Sequence, residues 1–224
     1  MNADLTRIQQ LMTYATGDEK HDSSAHSTLD VLWVLYDRIL RYDPQHPKSE
    51  DRDRFILSKG HGPIAFYAIL AAKGFFPTET LHTFATWDSM LGSHPDRNKV
   101  PGVEASTGSL GHGLPIAIGT SMVLRIKGSD SRVFVLIGDG ECNEGSIWES
   151  ILLAGNLHLS HLTCIVVNNH SSSLDLGDLA TKFTAFNWDA KTIDGRSHDA
   201  IYHALSHTDT TRPTAVIAEI AKEV

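Results

Sequence analysis

The residues best suited to chemistry are Asp139 and Asn169. The apolar run RVFVLI leads straight into Gly138-Asp139-Gly140, and the run LTCIVV leads into Asn168-Asn169. An Asp carboxylate beside an Asn carbonyl is a hard oxygen set that suits Mg²⁺, with Ca²⁺ as the alternative. Magnesium takes few protein ligands and completes its shell with water and phosphate oxygens. The glycines flanking Asp139 allow a phosphate to approach the backbone, and a helix starting near Glu144 would aim its positive end at the same place. A tight turn with an Asp cap is the competing reading of an isolated GDG. Other reactive types are less well placed. Cys142 has no identifiable base partner. His203 and His207 have a ligand-like i,i+4 spacing without a third ligand, as an exposed helix face would. GSLGHG has the wrong glycine spacing for a dinucleotide fingerprint and no clear strand before it. The thirteen histidines are more than this length ordinarily carries, and histidine suits proton transfer near neutrality.

Positioning Asp139 and Asn169 side by side requires adjacent parallel strands. RVFVLIG, LTCIVVN and TAVIAEI are continuous β-branched runs, the pattern of strands buried on both faces. Helical patterns at 144–158, 177–187 and 198–207 separate them. The expected fold is α/β, a doubly wound, mostly parallel sheet with helices on both faces. Ligands then sit beyond the carboxyl ends of the strands.

Upstream, Ser27 and Asp30 are expected to open a helix whose apolar face is Leu29, Leu32, Trp33, Tyr36 and Leu40. FILSKGHGP reads as a short strand entering a glycine turn, and PIAFYAILAAKG as an apolar helix ended by Gly74. A helix is expected over 77–90, a long loop over 92–108 of the kind that is functional or disordered, and a small-residue helix up to Gly128. No linker or internal repeat divides the chain. It is expected to form one domain over 1–224, with an N-terminal helical segment of about residues 1–60 packed on the α/β core.

Composition narrows the function. Lys and Arg number 19 against 27 Asp and Glu, a formal charge of −8 without long runs of either sign. This argues against nucleic-acid and anionic-membrane surfaces. Two cysteines are too few for a disulfide framework. The longest apolar stretch, about ten residues, is too short to span a bilayer, and no signal peptide is visible at the N-terminus. A cytoplasmic enzyme or enzyme part is the expectation.

The segment GDGECNEGSIWES…AGNLHLSHLTCIVVNN resembles the thiamine-diphosphate-binding motif that opens on GDG and closes on an asparagine pair. SKGHGPIAFYAILAAKGFF and LGSHPDRNKVPGVEASTGSLGHGLPIAIG narrow the resemblance to the N-terminal half of transketolase. The similarity runs from about residue 25 to 219, and the length resembles the amino-terminal subunit of split transketolases. The resemblance implies thiamine diphosphate and Mg²⁺ as cofactors. Asp139 and Asn169 would hold the metal together with a backbone carbonyl near Ser171. Gly140 and Glu141 would bring N–H groups to the diphosphate, with Gly108 and Leu110 against the aminopyrimidine. His26, His61 and His94 would line the channel above the thiazolium, His61 also contacting cofactor. Glu144 would couple cofactor sites across a subunit interface. It further implies a partner, the C-terminal pyrimidine-binding chain, in an α2β2 assembly acting on sugars or sugar phosphates. The shortened HSSSLDLGDLATKF segment and the stop at IAEIAKEV depart from the family. A 2-oxoacid dehydrogenase first component and a non-catalytic transketolase-like paralogue are the alternatives.

Overall fold

The computed structural model describes residues 3–17 and 22–221. Five strands form one sheet: β1 (Arg54–Leu57), β2 (Val133–Gly138), β3 (Leu162–Asn168), β4 (Asp189–Asp194) and β5 (Thr214–Glu219). Their order is β1-β2-β3-β5-β4, and every pairing is parallel. The doubly wound α/β arrangement read from the sequence is therefore the fold. β2 and β3 are neighbours, with Gly138 opposite Val167. The amide of Asp139 donates to the Val167 carbonyl at 3.1 Å, so Asp139 stands at the tip of the ladder.

Alternate residues of each central strand feed opposite faces, since side chains in a strand repeat every two residues. Phe134, Leu136, Ile165, Val167, Val216 and Ala218 join the core on one face. The helices there are α1 (Ala3–Met12), α2 (Asp22–Val34) and α3 (Ile64–Ala72). Val133, Val135, Ile137, Cys164, Val166 and Ile217 join the core on the other, beneath α4 (Gly113–Ile126), α5 (Gly145–Asn156) and α6 (Leu179–Ala185). This two-sided burial explains the uninterrupted apolar runs. Each Val, Leu, Ile or Phe among them contributes about 1.5–3 kcal/mol by leaving water. The last helix, α7 (His198–Ser206), returns to the first face.

Three local expectations change. β4 (DAKTID) escaped the sequence pattern because it is an edge strand, half-exposed and only weakly apolar. The helix expected over 77–90 is a 3₁₀ stretch, Thr78–Thr83. Thr83 and Thr86 hydroxyls there donate to carbonyls three residues back, and Ala85 and Asp88 adopt φ of 57° and 64°. Local hydroxyl bonds and left-handed residues both end a helix. Ser27 does not cap α2 but lies inside it, donating to the Ser24 carbonyl at 3.0 Å. Asp30 instead binds Arg196 Nη1 and His198 Nε2, each at 2.8 Å, tying α2 to the loop after β4 and to the start of α7. Among the described residues no helix is long and apolar enough to cross a membrane.

Candidate functional site

The carboxyl end of β2 gathers the polar groups. Asp139 is 1% exposed, and its carboxylate is met by the segment that leaves β3. His170 adopts φ of 56°, and beyond that turn Ser171 and Ser172 lie against Asp139. Ser171 Oγ donates to Oδ1 at 2.8 Å, while the Ser171 and Ser172 amides donate to Oδ2 at 2.6 and 2.9 Å. Each carboxylate oxygen can accept about two hydrogen bonds. Oδ2 is thus filled, and Oδ1 keeps one acceptor direction for a cation.

Asn169 follows the last residue of β3 and is half-buried. The structure therefore joins Asp139 to Ser171 directly and puts Asn169 at the neighbouring strand tip. These are all hard oxygen groups, and with a single carboxylate the set fits Mg²⁺ completed by phosphate oxygens. A methyl group added at Gly140 would meet nothing closer than Ser171 Oγ at 3.9 Å. The backbone after Asp139 is open to a diphosphate.

Beneath this lies a second buried carboxylate that sequence reasoning treated only as a backbone position. Glu141 Oε1 accepts from Ser58 Oγ and from the Gly111 amide (2.8 Å), and Oε2 from the Gly138 amide (3.4 Å). Ser58 Oγ in turn accepts from the Gly113 amide at 3.0 Å. One side chain thus ties together the loops after β1, before α4 and after β2. Burial pushes the Glu141 carboxyl up, opposed by the hydrogen bonds from Ser58, Gly111 and Gly138 and by the charge of Lys59.

Lys59 is the other residue missed. It is 4% exposed, and its Nζ donates to the Ser24 carbonyl at 3.3 Å. Burial pulls its ammonium down to about 8, against the attraction of Asp139 and Glu141. In a sequence a loop lysine reads as solvated, and nothing local in SKGHG reveals its burial.

The remaining predicted residues are more open. Gly108 packs on the His94 ring: a Cβ there would lie 2.9 Å from His94 Cδ2. His61 is half-buried and His94 exposed. Leu110 is half-buried and precedes Gly111, whose φ of +84° suits glycine. A Cβ on Gly111 would collide with Ser146 Oγ and lie 2.8 Å from Glu144 Cβ. Glu144 is exposed at the start of α5. His26 is half-buried on α2, its carbonyl accepting from Arg196 Nη1 at 2.9 Å. His203 and His207 lie exposed along and just beyond α7. Cys142 is no nucleophile: burial, with repulsion from Glu141 and Asp139, pushes its thiol up to about 12.

Comparison with known proteins identifies this arrangement. Residues 3–221 match the family described as transketolase, thiamine diphosphate binding domain. "Ferredoxin fas2" of Rhodococcoides fascians is 50% identical over 218 residues, covering 96% of this chain and 72% of that protein. The 6-deoxy-6-sulfo-D-fructose transketolase subunit SqwG of a Clostridium species is 35% identical over 211 residues, covering 90% of this chain and 77% of that one. A crystal structure of a mutant transketolase from Pichia stipitis superposes with a TM-score of 0.84 at 25% identity, covering 96% of this chain but 36% of its own. By sequence and by fold, this chain belongs to the transketolase family, where it corresponds to the thiamine diphosphate binding domain.

Proposed function

We propose that this chain is the diphosphate- and Mg²⁺-binding subunit of a two-chain, cytoplasmic transketolase-like enzyme. The enzyme would transfer a two-carbon ketol unit from a ketose to an aldose, either of them free or phosphorylated. The observation that carries this reading is the buried Asp139 at the β2 tip, with one open acceptor direction beside Ser171 and Asn169. Asp139, the Asn169 side chain and a carbonyl near Ser171 would hold the metal. Gly140 and Glu141 would offer amides to the diphosphate, and Gly108 and Leu110 would bound the aminopyrimidine. Thiamine diphosphate, when bound, supplies a nucleophilic carbon able to take up the ketol unit.

His61 and His94, with His26, would then hold substrate hydroxyls and move protons there, work suited to imidazole. The SqwG and apulose-4-phosphate relatives are named as subunits. That naming supports a second chain completing the site in an α2β2 assembly; the chain spans about a third of the full-length transketolases it matches. Glu144, exposed beside Gly111, would face that interface. Exposed Ile116 and Val123 on α4 with Leu152 and Leu153 on α5 offer an apolar surface for a partner. The ferredoxin in one relative's name finds no support within these residues: two buried cysteines are half of a four-thiolate cluster set.

The test is to co-express the chain with a C-terminal transketolase chain. Mg²⁺-dependent thiamine diphosphate binding and ketol transfer from xylulose 5-phosphate are then measured. Both are expected in the pair, and no transfer from this chain alone. Binding without transfer in any pairing would favour a non-catalytic paralogue; no binding would overturn the proposal.

A further inference from the structure

The other end of the sheet holds a cavity of about 550 Å³ between the loop before β1 and the loop 92–108. Its walls carry Lys48, Arg52, Arg97 and Lys99 against one acidic residue, Glu104. Glu104 is already neutralised, 2.6 Å from Arg52 Nη2 and 3.5 Å from Arg54 Nε. No hydrogen bond or ion pair engages the side-chain cations of Lys48, Arg97 or Lys99 among the described residues. Arg52 itself is held in the wall, Nη1 donating to the Asp53 carbonyl at 3.1 Å and Nη2 paired with Glu104. A chain of net charge −8 thus concentrates uncompensated positive charge around one hollow.

The wall is built rather than loose. Asp96 Oδ1 accepts from the Asn98 amide (2.9 Å) and Ser106 Oγ (3.2 Å), and its carbonyl accepts from the Lys99 and Val100 amides. Ser106 Oγ also accepts from the Arg97 amide at 3.0 Å. Arg97 and Lys99 are therefore presented from a hydrogen-bonded turn, which lowers the entropic cost of ordering a ligand there. Guanidinium and ammonium groups converging on a small hollow suit a phosphoryl group, and the volume fits a small phosphorylated molecule.

We propose that this cavity is a second anion site, binding a phosphorylated metabolite of sugar-phosphate size through Arg97, Lys99 and Lys48. It lies at the amino ends of the strands, away from Asp139. It stands independently of the reading of the carboxyl end.

The test uses the purified chain without metal or cofactor, with inorganic phosphate and ribose 5-phosphate as probes. Binding is followed by ³¹P line broadening and by titration calorimetry. Wild type and Asp139→Asn are expected to match each other in affinity for each probe, and both to bind ribose 5-phosphate more tightly than phosphate. The affinity is expected to fall about fivefold between 50 and 200 mM NaCl, as screened charges require. Arg97→Ser/Lys99→Ser, two exposed positions, is expected to lose binding by about tenfold or more with its thermal midpoint unchanged. Wild-type affinity in that double variant, or loss of affinity in Asp139→Asn, would overturn the site. Equal affinity for the two probes would overturn its sugar-phosphate assignment.

Discussion

The sheet buries carboxylates at both ends, and they are treated in opposite ways. At the amino end, Asp53 has a fully buried side chain gripped by two arginines. Oδ1 accepts from the Arg132 amide (2.8 Å) and Arg41 Nη2 (3.2 Å), and Oδ2 from the Arg41 amide (2.9 Å) and Arg132 Nη2 (2.7 Å). Burial would raise its carboxyl, but these bonds from Arg132 and Arg41 hold it below the ordinary value. At the carboxyl end, Asp139 and Glu141 share one buried cation, Lys59, whose ammonium bonds the Ser24 carbonyl rather than saturating either carboxylate. A compensated carboxylate is a staple. An incompletely compensated one is poised for a ligand, and strained electrostatics of this kind concentrate at functional sites.

The contrast can be broken most decisively by removing each carboxylate. Asp139→Ala is expected to lower Mg²⁺-dependent thiamine diphosphate affinity by about 100-fold or more while costing about 1–3 kcal/mol of stability, since Ser171 and Ser172 lose their acceptor; unchanged affinity by calorimetry would mean the metal site is misplaced. Asp53→Ala should do the reverse in urea unfolding, costing about 3–5 kcal/mol because two guanidinium groups lose their buried partner. Lys59→Met separates the roles within the carboxyl end. It is expected to weaken cofactor binding about tenfold, the scale of a charged hydrogen bond, without destabilising the cofactor-free chain, since a buried ammonium is costly. A destabilised Lys59→Met chain would make Lys59 a staple like Arg132.

Acid offers a gentler probe. Because the folded Asp53 carboxyl lies below its unfolded value, its contribution is present above the unfolded value, near 3.8. It is lost as pH falls through the lowered folded one. Asp53→Asn should flatten that acid limb in a pH series of unfolding midpoints. The smallest effect expected is on thiol reactivity. Cys142 and Cys164 are buried with raised thiols, so iodoacetamide at pH 8 should leave both unmodified until the chain unfolds.

The buried strands were legible because two-sided burial imposes an unbroken apolar run, and β2, β3 and β5 lie where RVFVLIG, LTCIVVN and TAVIAEI predict. β4 was not, since an edge strand half-open to water has no such pattern. The pairing of Asp139 with the β3 tip was likewise legible from one strand–helix–strand spacing. The contact of Ser171 and Ser172 with Asp139 was not, because it depends on the left-handed turn at His170. The stretch 77–90 misled because Pro77 and Thr78 offer a helix opening while the hydroxyls that follow prefer local carbonyls.

What the sequence alone determined is therefore the periodic part of this protein. It set the parallel α/β sheet, the position of GDG at a strand end, and the motif blocks that mark the transketolase family. Those signals are local, each carried by neighbours along the chain. Only the tertiary structure decided that Lys59 is buried, that Glu141 joins three loops through Ser58 and Gly111, and that Asp53 rather than Asp139 is the saturated carboxylate. Burial and charge compensation depend on groups brought together from distant segments, 83 residues apart for Ser58 and Glu141. No spacing rule along one chain encodes which of two aspartates will find an arginine.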